Sequence, residues 1–198
     1  THTAASYLLA YTAVADAPVD DDTAAYARQQ ADTIVDSLDL LWSDKREVYG
    51  MRLNKSGKID NRIDSGTFSI VEALAAYSEI ADLDASTLDR LTSHIRHVFD
   101  LLYRDPDDSD VAGLARFEGD TWRSSGQSGE KVWSVSTAWG ANAAADLGVL
   151  LKKYDEDEQA EEYFEIAETL YSLLLPDGPL TSQAGYLSEQ VFDDGTLD

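Results

Sequence analysis

The feature that most constrains this chain is an alternation of two kinds of helical pattern. Segments from about Asp22 to Trp42, Ser86 to Tyr103 and Asp157 to Leu174 each carry one apolar stripe at 3.6-residue spacing. In the first, Ala24, Ala27, Ala31, Ile34, Val35, Leu38 and Leu41 form the stripe, opposed by Arg28, Gln29, Asp32, Asp36 and Asp39. Segments from Ala4 to Ala15, Phe68 to Ala81 and Val132 to Leu151 are apolar or small on nearly every side, the pattern of helices buried all round. One-sided and two-sided helices in alternation pack naturally as two layers.

The links alternate as well. Asp16 to Asp22, Asp82 to Ala85 and Asp155-Glu156 are short, whereas Ser43 to Gly66, Arg104 to Glu130 and the stretch after Pro176 are long. Similar exits recur at Leu40-Leu41-Trp42-Ser43-Asp44, Leu101-Leu102-Tyr103-Arg104-Asp105 and Leu173-Leu174-Leu175-Pro176-Asp177. Their spacing of about 60–70 residues predicts a single domain of three helical-hairpin repeats, about 1–65, 66–130 and 131–198. All three long loops then emerge on one face, where binding and catalysis concentrate in repeat scaffolds. In the first loop, Val48 to Leu53 alternates, Asn54-Lys55-Ser56-Gly57 turns and Lys58-Ile59-Asp60 returns, which predicts a β-hairpin. The expected fold class is all-α with that small β ornament.

Composition narrows the function classes. Thirty-eight acidic residues against fifteen basic ones give a net charge of −23, a surface that repels nucleic acid and anionic lipid. Such a surface fits a protein kept soluble at high salt, where the Debye length falls to roughly 3 Å at 1 M. A high-salt cytoplasm is the expected setting, with secretion of a parent protein left open. Thr1-His2-Thr3 has neither a basic leader region nor an initiator Met, so the chain reads as a piece of a longer polypeptide. With no Cys, thiolate chemistry and disulfides are excluded. His94 and His97 lie three apart on a helix, but nothing completes a metal set, so both are expected on a solvated face. No metal or other cofactor is expected. The acidic runs Asp20 to Asp22, Asp105 to Asp110 and Asp155 to Glu158 fall at loops and helix starts, where carboxylates cap helices. The middle run lacks the Gly and distal Glu of an EF-hand loop and is expected to be surface.

Two long loops hold residues suited to sugar chemistry. The second contains Gly113 to Trp122, with Arg116, Glu118 and Asp120, followed by Trp133. Arginine and carboxylates hydrogen-bond hydroxyls in pairs, and an indole offers a flat apolar face to a pyranose ring. The same residues would equally serve as an Arg–Asp pair stiffening a long loop over a core Trp133. The third loop holds Glu189 between Ser188 and Gln190, a candidate general base, although a solvated Glu has the same spacing. An inverting glycosidase needs two carboxylates roughly 6.5–9.5 Å apart, and spacing alone names no second one.

At these loops the sequence resembles the glucoamylase family, glycoside hydrolase family 15. Arg116-Phe117-Glu118-Gly119-Asp120-Thr121-Trp122 is similar to that family's Arg-Tyr-(Glu/Pro)-(Gly/Glu)-Asp-Thr-Tyr segment. Trp133-Ser134-Val135-Ser136-Thr137 is similar to its Trp-Phe-Leu-x-Thr. Tyr186-Leu187-Ser188-Glu189-Gln190 resembles the segment that holds its general base, and Trp42 to Asp64 resembles the stretch between its two catalytic Glu residues. The resemblance implies an (α/α)₆ toroid that hydrolyses α-glucosidic bonds with inversion; the family includes glucoamylases, glucodextranases and trehalases. It implies Glu189 as general base and Arg116, Glu118, Asp120, Trp122, Trp133 and Gln190 as pocket residues for an α-glucan or α-glucoside. The family's general acid lies in a Leu-Trp-Glu-Glu segment upstream of the helix that begins here at Thr1, and its Trp-Ser-(His/Tyr)-Ala segment would follow Asp198.

Three hairpins are half of six, so the expectation is the C-terminal half of a catalytic domain, inactive on its own. Exposed inner-helix flanks would then favour self-association. The competing expectation is a non-catalytic hairpin scaffold that binds a partner on its loop face, with these side chains scattered. A phosphorylase on the same toroid would need an anion pocket, for which Arg116 alone is an obvious candidate.

Overall fold

The computed structural model describes residues 1–104, 111–122, 130–182, 185–192 and 194–196. The chain is mostly helical. Its helices are α1 (His2–Asp16), α2 (Asp21–Ser37), α3 (Ser69–Tyr77), α4 (Ala85–Leu102), α5 (Ser134–Lys153) and α6 (Asp157–Ser172). Short 3₁₀ turns, Leu38–Leu41 and Ser65–Phe68, follow α2 and precede α3. Among the described residues, eight two-residue strands pair into four antiparallel ladders. They are β1 (Trp42–Ser43) with β2 (Val48–Tyr49), β3 (Arg52–Leu53) with β4 (Ile59–Asp60), β5 (Tyr103–Arg104) with β6 (Gly113–Leu114), and β7 (Val132–Trp133) with β8 (Gln190–Val191).

The helix starts follow from local chemistry. Asp20 accepts a hydrogen bond from the Thr23 amide at 2.9 Å and Asp84 from the Thr87 amide at 2.7 Å, capping α2 and α4. Asp157 and Glu158 sit in the first turn of α6, where the exposed amides favour negative charge. The α3 helix stops at Tyr77, short of the expected Ala81, because the Glu79 and Ile80 amides reach back three residues instead of four. Lys153 Nζ then donates to the Ser78 carbonyl at 2.6 Å and to Glu79 at 2.8 Å, so the end of α5 caps the end of α3.

Helices α1, α3 and α5 lie side by side, α2 packs on α1, α6 on α5, and α4 on α5. Tyr77 Oη donates to Asp32 at 2.6 Å and Tyr163 Oη to the Thr92 carbonyl at 3.0 Å, tying α3 to α2 and α6 to α4. Glycines allow close packing against α5. A Cβ on Gly148 would lie 2.6 Å from the Phe164 ring, and one on Gly140 would lie 2.4 Å from Leu114. The core runs through Leu8, Ile70, Leu74, Leu91, Ile95, Leu147 and Tyr163. The two-sided expectation suits α3 and most of α5, but α1 ends the row and leaves Tyr7 and Val14 exposed. No helix among the described residues is long and apolar enough to cross a membrane.

The expected hairpin of the first loop is split: β2 turns back onto β1, and only β3 pairs with the returning β4. The repeated exits explain this. Trp42-Ser43 and Tyr103-Arg104 both leave a helix as the first strand of a ladder, whereas the third exit turns, with the Leu180 amide reaching the Leu173 carbonyl at 3.3 Å. The long loops knit together at the N-terminal ends of α3 and α5. Asp64 bridges Phe117, Ala115 bridges Val132, and β8 pairs with β7.

The position of His94 corrects the solvated-face expectation. It is fully buried, accepting from the Tyr49 amide through Nδ1 at 3.2 Å and facing the Thr67 carbonyl through Nε2 at 3.3 Å. Those partners require the neutral ring protonated at Nε2. The ring joins the first loop to the turn before α3, a long-range role that helical spacing does not reveal. His97 stays near the surface, 3.7 Å from Glu47. Burial holds the His94 imidazole down at about 4. The unfolded chain binds a proton near the ordinary 6.5 and the folded chain does not, so this contribution is complete above pH 6.5 and is lost as pH falls toward 4. The loss amounts to about 3 kcal/mol. Asp146, pushed up to about 6 by burial and by Glu72, works in the opposite direction, gaining stability as pH falls. Urea unfolding of wild type and His94→Gln across pH 4–7 isolates the histidine: the two curves should converge toward pH 4 and separate above pH 6.5.

Candidate functional site

Arg116 is delivered to the head of α5 by the strand before it. A Cβ on Gly113 would fall 2.5 Å from Val132 and 3.0 Å from Thr137 Oγ1, so only glycine lets β6 lie this close to the first turn of α5. The Leu114 amide donates to Thr137 Oγ1 at 3.0 Å, and that hydroxyl donates to the Trp133 carbonyl at 2.9 Å. Two residues later the Arg116 guanidinium lies 4.2 Å from the centroid of the Trp133 ring and 4.8 Å from that of Phe117. Gly119, at a φ of 74°, turns the chain back so that Asp120 meets Arg116. The contact is bidentate, Nε to Oδ2 and Nη2 to Oδ1 at 2.9 Å each. Asp120 is buried and also accepts from the Trp122 amide at 3.0 Å.

The third loop arrives from the other side. In the β7–β8 ladder Trp133 pairs with Gln190, and the Ser134 amide donates to the Glu189 carbonyl at 3.3 Å. The backbone of Glu189 therefore adjoins the first residue of α5, where the helix end favours a carboxylate. Its side chain is exposed and Gln190 is buried. Four buried side-chain polar atoms have no hydrogen-bond partner among the described residues, and three of them, Trp133 Nε1, Ser134 Oγ and Gln190 Oε1, belong to this one junction. Buried polar groups are nearly always satisfied, and such exceptions call for a partner such as a water or a bound group, or for strain or a catalytic role.

Arg116, Asp120, Trp133 and Gln190 are thus brought together, with Glu189 adjoining them through its backbone. Glu118 is not. Arg46 donates to it from Nη1 at 2.6 Å and from Nη2 at 3.3 Å, with the Ile63 amide at 3.3 Å, so Glu118 pins the first loop to the second. The Arg46 guanidinium, with the Ile63 amide, holds its carboxyl below the usual range. Trp122 is 55% exposed. Asp105 to Asp110 lies outside the described residues. Among the described residues no group of three or more His, Asp or Glu could hold a metal ion.

Sequence reasoning missed the cleft beside Arg116. About 420 Å³ of space opens at the N-terminal ends of α1, α3 and α5, bounded by His2, Asp64, Gly66, Arg116, Phe117 and Trp139. Asp64 caps the turn before α3, its Oδ1 accepting from the Gly66 amide at 2.7 Å. Burial pushes its carboxyl up, against the pull of that amide and of Arg116. The place of Asp64 beside Arg116 depends on the Asp64–Phe117 bridge between distant loops, which residue spacing does not reveal.

The two acidic partners should separate in stability measurements. Asp120→Ala strands a guanidinium against two rings and an amide without its acceptor, so chemical denaturation should show a loss of about 2 kcal/mol. Glu118→Ala breaks a largely solvent-screened pair and should lose roughly 1 kcal/mol or less. No protein family model and no curated protein matches the sequence.

Proposed function

We propose that this chain is part of an inverting α-glucoside hydrolase of the glucoamylase type, with Glu189 as general base. The single observation that carries the reading is the junction of β7, β8 and α5, where the Arg116–Asp120 pair, Trp133 and Gln190 meet next to Glu189. These come from loops more than 50 residues apart in sequence, and they are among the residues the family resemblance selects, which also include Glu118 and Trp122. A hairpin scaffold without chemistry has no need to gather them. In this reading Arg116, oriented by Asp120 and stacked on Trp133, hydrogen-bonds sugar hydroxyls, and Glu189 takes a proton from the attacking water. Glu118 holds the loop and makes no contact with substrate.

Within the same reading, the row α1–α3–α5 with α2, α4 and α6 outside it is half of an (α/α)₆ toroid. Its support is the apolar character of the two ends of the row. Tyr7 and Val14 are exposed on α1, and an open groove of about 500 Å³ runs between α5 and α6, bounded by Ala138, Ala141, Ala145, Ala167 and Tyr171. The family's general acid belongs to the segment upstream of the resemblance, so catalysis requires that half.

The test is a polypeptide that restores the upstream half, assayed on maltose, maltooligosaccharides, isomaltose and trehalose. Hydrolysis should fall by about 10²–10⁴-fold in Glu189→Gln while thermal stability is kept. The 198-residue chain alone should show no turnover. Full activity in Glu189→Gln, or wild-type-like turnover by the isolated chain, would refute the assignment.

A further inference from the structure

Asp64 and Trp139 share one small space. A Cβ placed on Gly66 would lie 2.9 Å from Asp64 Oδ1 and 4.0 Å from Trp139 Cζ3, so the carboxylate and the indole flank the same glycine. Trp139 is 43% exposed on a stretch of α5 otherwise built from Ala138, Gly140 and Ala141, and it faces the cleft. An indole left this open on a helix of small residues offers apolar surface to whatever enters. The His2 ring adjoins it, with centroids 6.1 Å apart and planes inclined by 31°. Arg116 forms the opposite side, its carbonyl fixed to Asp64's turn by the Ser65 amide at 2.9 Å.

The space suits a small polar ligand with an apolar face. Its volume of about 420 Å³ falls within the roughly 300–1,000 Å³ of ligand clefts. We infer that this cleft is a sugar-ring subsite, in which Asp64 accepts hydrogen bonds from hydroxyls and Trp139 carries the apolar face of the ring. This rests on the proposed function and adds to it residues that the family resemblance does not select. A capping role alone uses one oxygen of Asp64, and an asparagine would fill it equally well. Asp64 lines the cleft and the cap leaves its second oxygen unused, an acceptor that the charge on the carboxylate strengthens. Burial of that carboxylate, which opposes its ionisation, is the kind of arrangement seen where a polar ligand supplies the missing partners.

The test is a titration of the 198-residue chain with maltose and maltotriose, followed by the indole N–H resonances of Trp133 and Trp139 and by calorimetry. Asp64→Asn, which keeps the cap, and Trp139→Ala should each weaken maltotriose binding by about tenfold, while Trp139→Phe retains most of it. The Trp139 resonance should shift on titration of wild type. Arg116→Ala separates the two readings. If wild type binds and Arg116→Ala abolishes binding while Asp64→Asn and Trp139→Ala bind normally, the subsite is overturned and the proposed function stands. If wild type binds neither sugar, the subsite is overturned, while the proposed function is decided separately by hydrolysis in the polypeptide that restores the upstream half.

Discussion

A ladder of two residue pairs, Val132–Trp133 against Gln190–Val191, holds the candidate site together. Without it, the third loop has no register relative to α5, and Glu189 has no fixed neighbour. So short a ladder is weak alone and persists because its surroundings leave it little freedom. Leu180 and Val191 are buried against Val111 and Val132 beneath it, and Gly113 brings β6 to the same corner. The result is a site set by loop backbones whose position is fixed by the head of one helix. The helices themselves contribute their N-terminal ends.

The three helix pairs were legible because burial on one or both faces leaves a 3.6-residue imprint that needs no knowledge of partners. The acidic run at Asp20 was legible as a cap for the same reason, being local. What the sequence hid is non-local. His94 looked like a surface histidine because its two partners, Tyr49 and Thr67, lie 45 and 27 residues away. Glu118 sat in the right motif, yet Arg46, 72 residues earlier, draws it away from Arg116. The β1–β2, β5–β6 and β7–β8 ladders are two residues each, too short to show alternation. Asp64 and Trp139 carry no signal as a pair until the Asp64–Phe117 bridge joins the first two loops.

The α1 helix shows how composition and packing part company. Its residues are apolar or small all round, yet only Ala5, Leu8, Thr12 and Ala15 are buried, and Tyr7, Tyr11 and Tyr26 form a partly exposed aromatic series across α1 and α2. A repeat that caps a row is polar on its outer face, whereas apolar character on both faces with cover on one is what an inner repeat displays. In the proposed toroid such a face is interior. On a chain of net charge −23, these apolar flanks are among the exposed apolar surfaces of the described residues.

The account depends most on segment 189–191 being docked on the head of α5, and amide hydrogen exchange measures that directly. The Ser134 amide, which donates to the Glu189 carbonyl at 3.3 Å, should exchange slowly, approaching the protection of Ala144 and Leu147 in the interior of α5. Exchange of Ser134 and Val191 at the rate of an open loop, with Ala144 and Leu147 still protected, would contradict it.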